Sequence, residues 1–289
     1  MAQQLANSPL KKLAGRACGA PINRRVGNCM TIFAAAIGKR IGDRHRAKAK
    51  QSQDYGCYRL LPGGTGIVAA VSDGAGSAPE AGTGSLVAAH YATMGAWRRA
   101  TEKSAEPSAC VRAGIRAARE KLEERAKRDR RSMENYHTTL IVAAATKNKA
   151  AVAHIGDGAS IAKTGGQYKM LTIPARGEYA NETFFITMDG YKNLTAYNEV
   201  HEPEELILFT DGVQNELIDF KGKRADQEAL LRLKFLDIPA ERNQPTTEAG
   251  QLGIRSTTHH LLNQWLEDGQ TTHGDDATIL IIRPPSEGK

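Results

Sequence analysis

The sequence predicts a single α+β domain, and three observations lead there. Short apolar runs bounded by glycine or turn residues recur at 66–71, 139–145, 151–155, 206–210 and 278–282, the mark of buried strands. Longer stretches after Ser85 and after Ser108 carry apolar residues at helical spacing. No internal repeat and no strong linker divides the 289 residues, so strands and helices share one fold. With 25% charged and 40% hydrophobic residues, the composition is that of a globular chain with a sizeable core and not of a disordered one.

In chain order, residues 1–29 carry Gly, Pro, Asn and Lys with little periodicity. They are expected to be a basic, partly disordered extension ahead of a domain spanning 30–285, with 286–289 as a tail. A strand is expected from near Thr31, then a polar, basic loop from Gly42 to Gln53. The run Gly66–Val71 reads as a buried strand. Ser85 is expected to cap a helix with Val87, Tyr91 and Met94 on one face. A second helix from about Ser108 places Val111, Ile115, Ala118 and Leu122 in one stripe, and its basic end, Lys127 to Arg131, reads as a solvated face. Strands at 139–145, 151–155 and 160–163 form a meander, turning at Lys147-Asn148-Lys149 and Gly156-Asp157-Gly158. A strand at 206–210, helical stretches near 227–236 and 254–266, and a last strand at 278–282 complete the pattern. Pro284-Pro285 stops that strand. The segment Ala175 to Glu202, with its Gly, Asn and Tyr, reads as a surface flap.

Residues 1–50 hold eleven Lys/Arg and one acid, while the rest of the chain is slightly acidic. No nucleic-acid-binding motif or aromatic interleaving accompanies this basic segment, so nucleic acid is not an expected partner. Neither a signal peptide nor an apolar stretch long enough to span a bilayer is present. Cys18, Cys29, Cys57 and Cys110 show no paired spacing, which argues against a zinc knuckle or a disulfide framework. The expectation is a cytoplasmic protein with reduced thiols and no membrane partner.

Aspartates at strand ends carry the chemistry. An apolar strand runs into Asp73-Gly74, another runs into Asp211-Gly212, and Asp275-Asp276 runs into the last strand. Asp-Gly after a strand is, taken singly, an ordinary turn. Three such sites at the ends of neighbouring strands could meet at one rim. Clustered carboxylates repel, and a divalent cation is the natural answer. Oxygen ligands without His/Cys spacing select Mg²⁺ or Mn²⁺ over Zn²⁺. Gly74 lets backbone approach a ligand closely, or merely permits a turn.

At these residues the chain resembles the protein phosphatase 2C family, in its bacterial stand-alone branch. Gln53-Asp54, VSDGAGS at 71–77, Thr138-Thr139, AHIGDGAS at 153–160, LFTDGV at 208–213 and DDATILII at 275–282 resemble that family's motifs, in order. The resemblance implies an α-β-β-α sandwich of two central antiparallel sheets flanked by helices. It implies a metal-dependent serine/threonine phosphatase with two Mn²⁺ or Mg²⁺ ions. Asp73 would bridge both ions, the Gly74 carbonyl would bind one, and Asp211 and Asp275 would bind the other. Asp54 would hold metal-bound water, making Asp54 and Asp73 the catalytic pair, and Asp157 would sit near an optional third ion. Hydroxide bridging the two ions would attack phosphorus in line, the ions lowering the pKa of water and neutralising phosphate charge. A phosphorylated protein would be the substrate and a Ser/Thr kinase the opposing partner.

The chain also departs from that pattern. Ala75 stands where many relatives have His, so the leaving-group proton would come from water or another residue, with His45 and His273 as candidate general acids. Relatives often carry a phosphate-clamping Arg upstream of the first motif; here Arg46, Lys48 or Lys50 could take that part. His137 stands where Gly is usual. Two alternatives stay open: a catalytically weak phosphatase-like module that binds phosphoproteins or regulates a kinase, and a phosphatase of small molecules.

Overall fold

The computed structural model describes residues 33–102, 105–174, 183–233, 260–267 and 274–285. The basic extension, the tail and His273 therefore lie outside the described residues. Two five-stranded antiparallel sheets stack face to face. One has the order β2-β3-β4-β5-β8: β2 Asp54–Leu60, β3 Gly66–Asp73, β4 Leu140–Thr146, β5 Lys149–Ile155 and β8 Ala196–His201. The other has the order β1-β12-β9-β6-β7: β1 Ala34–Arg40, β12 Ala277–Arg283, β9 Glu205–Phe209, β6 Ala159–Thr164 and β7 Gln167–Thr172. A small hairpin, β10 Ile218–Asp219 and β11 Arg224–Ala225, stands apart from both.

The central strands are largely apolar because both of their faces are covered. On β3, Ile67, Ala69 and Val71 point into the core between the sheets, while Val68 and Ala70 point into a helix-facing core. On β12, Leu280 and Ile282 face the other sheet, and Ile279 and Ile281 face the outer helices on their own side. Three cores, two outer and one central, give four layers in the order α-β-β-α.

On one outside lie α2, Ala81–Thr101, and α3, Pro107–Asp129. Pro107 sits in the first turn of α3, where its missing N–H costs nothing. Arg130 closes α3 in the left-handed region, φ 53°. The two helices approach closely at Gly114, where a Cβ would meet the Ala92 carbonyl oxygen at 2.8 Å. On the other outside, short helices α5 Gln214–Leu217 and α6 Gln227–Arg232 and the helix at 260–267 cover the second sheet. Leu217, Leu230, Leu262 and Leu266 fill that core.

Three readings are corrected. The helix begins at Ala81, so Ser85 is interior and does not cap it; its buried hydroxyl donates to the Gln53 carbonyl. The expected loop from Gly42 contains one helical turn, α1 Asp43–Arg46. The described part of the 175–202 segment is only partly loop: it holds α4 Tyr191–Leu194 and the strand β8. Among the described residues no helix is long and apolar enough to cross a membrane.

Leu122 on α3 is fully buried. Leu122→Ala should lower the unfolding free energy by about 2–5 kcal/mol in a denaturant melt. A change under about 0.5 kcal/mol, the range of ordinary surface sites, would show that α3 does not pack by this face.

Candidate metal centre

The aspartates arrive at one end of the sandwich by the topology of the strands. Asp54 opens β2 and Asp73 closes β3, and the two stand directly opposite each other in the antiparallel register. Asp157 lies in the turn by which the chain leaves β5 in one sheet for β6 in the other. Asp211 follows β9, and Asp275 and Asp276 precede its neighbour β12. Carboxylate oxygens of Asp73, Asp157 and Asp211 all lie within 4.8 Å of one another.

A surrounding shell of hydroxyls and backbone groups holds them. The Asp73 N–H donates to Thr139 Oγ1 at 3.0 Å. The Asp73 carbonyl accepts from the Thr138 hydroxyl at 2.6 Å and from the Thr139 N–H at 2.8 Å. Thr210 donates its hydroxyl to Asp54 Oδ2 at 2.6 Å while accepting the Thr278 N–H at 2.9 Å. Thr183 donates to Asp157 Oδ2 at 2.6 Å, and the Gln214 amide donates to the Asp157 carbonyl. Gly74 bridges to Thr138, and a Cβ there would strike the Ala81 carbonyl oxygen at 2.4 Å. Only glycine lets α2 start this close to the Asp-Gly turn.

Charge is concentrated and under-compensated. Burial pushes Asp54 up to about 6, with the charge of Asp276 acting in the same direction and the Thr210 hydroxyl opposing it. Burial, then the charges of Asp54 and Asp211, push Asp73 well above the usual carboxylate range. Burial, then Asp157 and Asp275, push Asp211 up to about 7. The Oδ1 atoms of Asp54, Asp157 and Asp211 are buried without a hydrogen-bond donor. Oxygen-only donors, buried acceptors that lack a partner and mutual repulsion fit a hard divalent cation.

The other expected residues are placed as follows. Asp275 is exposed, and its charge reaches Asp211. Asp157, expected only beside an optional third ion, stands in the tight group with Asp73 and Asp211. His45 Nδ1 lies 3.0 Å from Asp276 Oδ2, so the structure gives it a carboxylate partner. Arg46 pairs with Glu267 at 2.9 Å on the surface, and Lys48 and Lys50 are exposed.

Sequence reasoning missed Asp276. It is buried and gathers the Gly42 N–H at 2.8 Å, the Gln53 N–H at 2.5 Å and His45. It ties α1, the entry to β2 and β12 together behind the site. The doubled Asp275-Asp276 was the signal for it. Lys39 was also missed: its ammonium lies 4.3 Å from the Tyr55 ring centroid, within the fields of Asp54 and Asp276. Burial lowers its pKa, and those carboxylates oppose the shift. His137 stacks on Phe185, with centroids 4.8 Å apart, and its Nδ1 lies 2.6 Å from Thr187 Oγ1. It joins the 183–190 segment to the Asp-Gly turn, since its carbonyl accepts the Ala75 N–H at 2.9 Å.

With this geometry in view, the sequence matches the family model described as protein phosphatase 2C over residues 41–267. The chain belongs to the protein phosphatase 2C family. A curated relative, serine/threonine-protein phosphatase 3 of Escherichia coli (strain K12), is 25% identical over 146 residues, covering 50% of this chain and 58% of that protein. The chain thus spans little more than half the length of that relative. Among solved structures, the catalytic domain of the serine threonine protein phosphatase PstP in complex with two manganese ions superposes with a TM-score of 0.57 at 15% identity, covering 87% of this chain and 98% of that one. Serine/threonine phosphatase Stp1 from Staphylococcus aureus gives 0.56 at 15% identity, covering 92% and 100%. At such identities the likeness establishes the fold, and the α-β-β-α sandwich expected of a phosphatase 2C chain is the one observed.

The raised carboxyls set a sign for stability. Each binds its proton more tightly in the folded chain than in the unfolded one. The stability that Asp211 contributes is full below about 3.8 and is lost as pH rises through about 7. In EDTA, the Asp211→Asn variant should therefore become progressively more stable than the unaltered chain between pH 4 and pH 7, read by thermal melts. A gap that narrows with pH would contradict the buried, repelled state of Asp211. Adding Mn²⁺ should raise the melting temperature of the unaltered chain more at pH 7 than at pH 5.

Proposed function

We propose that the chain is a metal-dependent protein serine/threonine phosphatase that uses two Mn²⁺ or Mg²⁺ ions, with room for a weak third. The observation that carries this reading is the convergence of Asp73, Asp157 and Asp211, with Asp54 and Asp275 beside them, around buried oxygens without donors. Membership of the phosphatase 2C family supports it, as do the two manganese ions bound by a protein of the same fold.

Asp73 would be the shared ligand, since it faces Asp54 on one side and groups with Asp157 and Asp211 on the other. Gly74, Asp211 and Asp275 would complete the set. When bound, such ions supply charge neutralisation for a phosphoryl group and an activated water. The chain's own residues hold and orient. Thr138 and Thr139 fix the backbone of Asp73, so its carboxylate needs little reorganisation. Thr210 turns Asp54 so that one oxygen is tied and the other is free to hold a water.

Substrate phosphate would be drawn in by Lys48 and Lys50, exposed on the loop into Asp54, and by Arg46, whose surface pair with Glu267 is exposed enough to exchange for a phosphate. With His45 bound to Asp276, solvent is the simplest source of the leaving-group proton; His273 is the remaining candidate. The substrate proposed is a phosphoserine or phosphothreonine protein. A kinase must first install that phosphate, which makes a Ser/Thr kinase the expected opposing enzyme.

Mn²⁺-dependent release of phosphate from a panel of phosphopeptides tests this. Asp73→Asn should lower that activity by at least about a hundredfold while circular dichroism stays unchanged. EDTA should silence the unaltered chain, and Mn²⁺ should restore it. Full activity in Asp73→Asn would sink the shared-ligand role. Turnover of small phosphate esters without phosphopeptide turnover would replace the protein substrate with a small one. Mn²⁺ binding with no turnover of either would leave a phosphoprotein-binding module.

A further inference from the structure

A lysine on β1 reaches the end of the sandwich where the carboxylates gather: Lys39 stands opposite Thr278 in the β1–β12 register, and the Thr278 N–H donates to the Thr210 hydroxyl that holds Asp54. Lys39 shares its face of β1 with Ala35 and Ile37, both packed into the core between the sheets. Strand alternation therefore carries its side chain inward at the end of the sandwich where the aspartates meet. Its ammonium rests 4.3 Å from the centroid of the ring of Tyr55 on β2. β1 and β2 are edge strands of different sheets, so this contact closes the seam between them. The backbone of Lys39 is fixed as well, its N–H donating to Asn263 Oδ1 at 2.7 Å. The ammonium feels the carboxylates of Asp54 and Asp276 and has an aromatic ring for its direct partner.

We infer that Lys39 is a resident counter-charge of the metal centre, a positioning residue that offsets the carboxylates of Asp54 and Asp276 and so holds divalent-ion affinity below what the aspartates alone would give. The inference rests on the metal-site reading above. The physics is Coulombic. A fixed positive charge repels an arriving dication twice as strongly as it would a monovalent ion, and burial protects the effect from salt. A lysine of purely structural value predicts the opposite outcome: its loss would loosen the seam beside Asp54 and weaken metal binding.

The test is direct Mn²⁺ binding at pH 8 without substrate, by calorimetry and by the electron paramagnetic resonance signal of free Mn²⁺. Lys39→Met and Lys39→Gln should bind Mn²⁺ on the order of tenfold more tightly than the unaltered chain. Lys39→Arg, which keeps the charge, should match the unaltered chain. Equal or weaker binding in the neutral variants overturns the inference. So does failure of both to fold in the presence of Mn²⁺, because a counter-charge is dispensable once metal neutralises the cluster. Absence of Mn²⁺ binding by the unaltered chain would instead remove the metal-site reading, and this inference with it.

Discussion

Mutual repulsion among aspartates held at one end of a sandwich is the constraint around which this protein is organised. Burial raises Asp54, Asp73 and Asp211 above the ordinary carboxylate range, and the charges of neighbouring aspartates add to the rise: Asp276 for Asp54, Asp54 and Asp211 for Asp73, and Asp157 and Asp275 for Asp211. Left alone, such a cluster works against the fold. It persists because threonine hydroxyls tie some of the oxygens and because the remaining ones point at a place where a divalent cation would be stabilising.

The layers make that arrangement rigid. β3 is covered on one face by α2 and α3 and on the other by the second sheet, so Asp73 ends a strand that has little freedom to shift. β9 and β12 are central in the opposite sheet, and Thr210 is hydrogen-bonded to both Asp54 and the Thr278 backbone. One threonine thereby links the two sheets at the site. The 183–190 segment is held from the other side: the buried Arg119 of α3 donates to the carbonyls of Ile186 and Met188, both at 2.9 Å. Thr183, from the same segment, reaches Asp157.

The central strands could be read in the sequence because burial on both faces demands an unbroken apolar run. That demand made 66–71, 206–210 and 278–282 legible. β2, β7 and β8 escaped notice because they are edge strands, with polar residues on a less covered side. Asp73 and Asp211 stood out where apolar strands stop at Asp-Gly. Asp276 was hidden in the shadow of Asp275, since neighbouring residues on a chain entering a strand point in opposite directions. Nothing in the local pattern distinguishes the exposed carboxylate from the one that gathers three donors.

By itself, the sequence determined the strand cores, the two long helices and the residue types able to hold a hard cation, because hydrophobic period and ligand chemistry are local properties. Only the tertiary structure decided that Asp157 joins Asp73 and Asp211, that Arg46 pairs with Glu267 and His45 with Asp276, and that Lys39 lies over Tyr55. Those pairings join residues up to 231 positions apart, and only the folded arrangement of strands and helices brings them together.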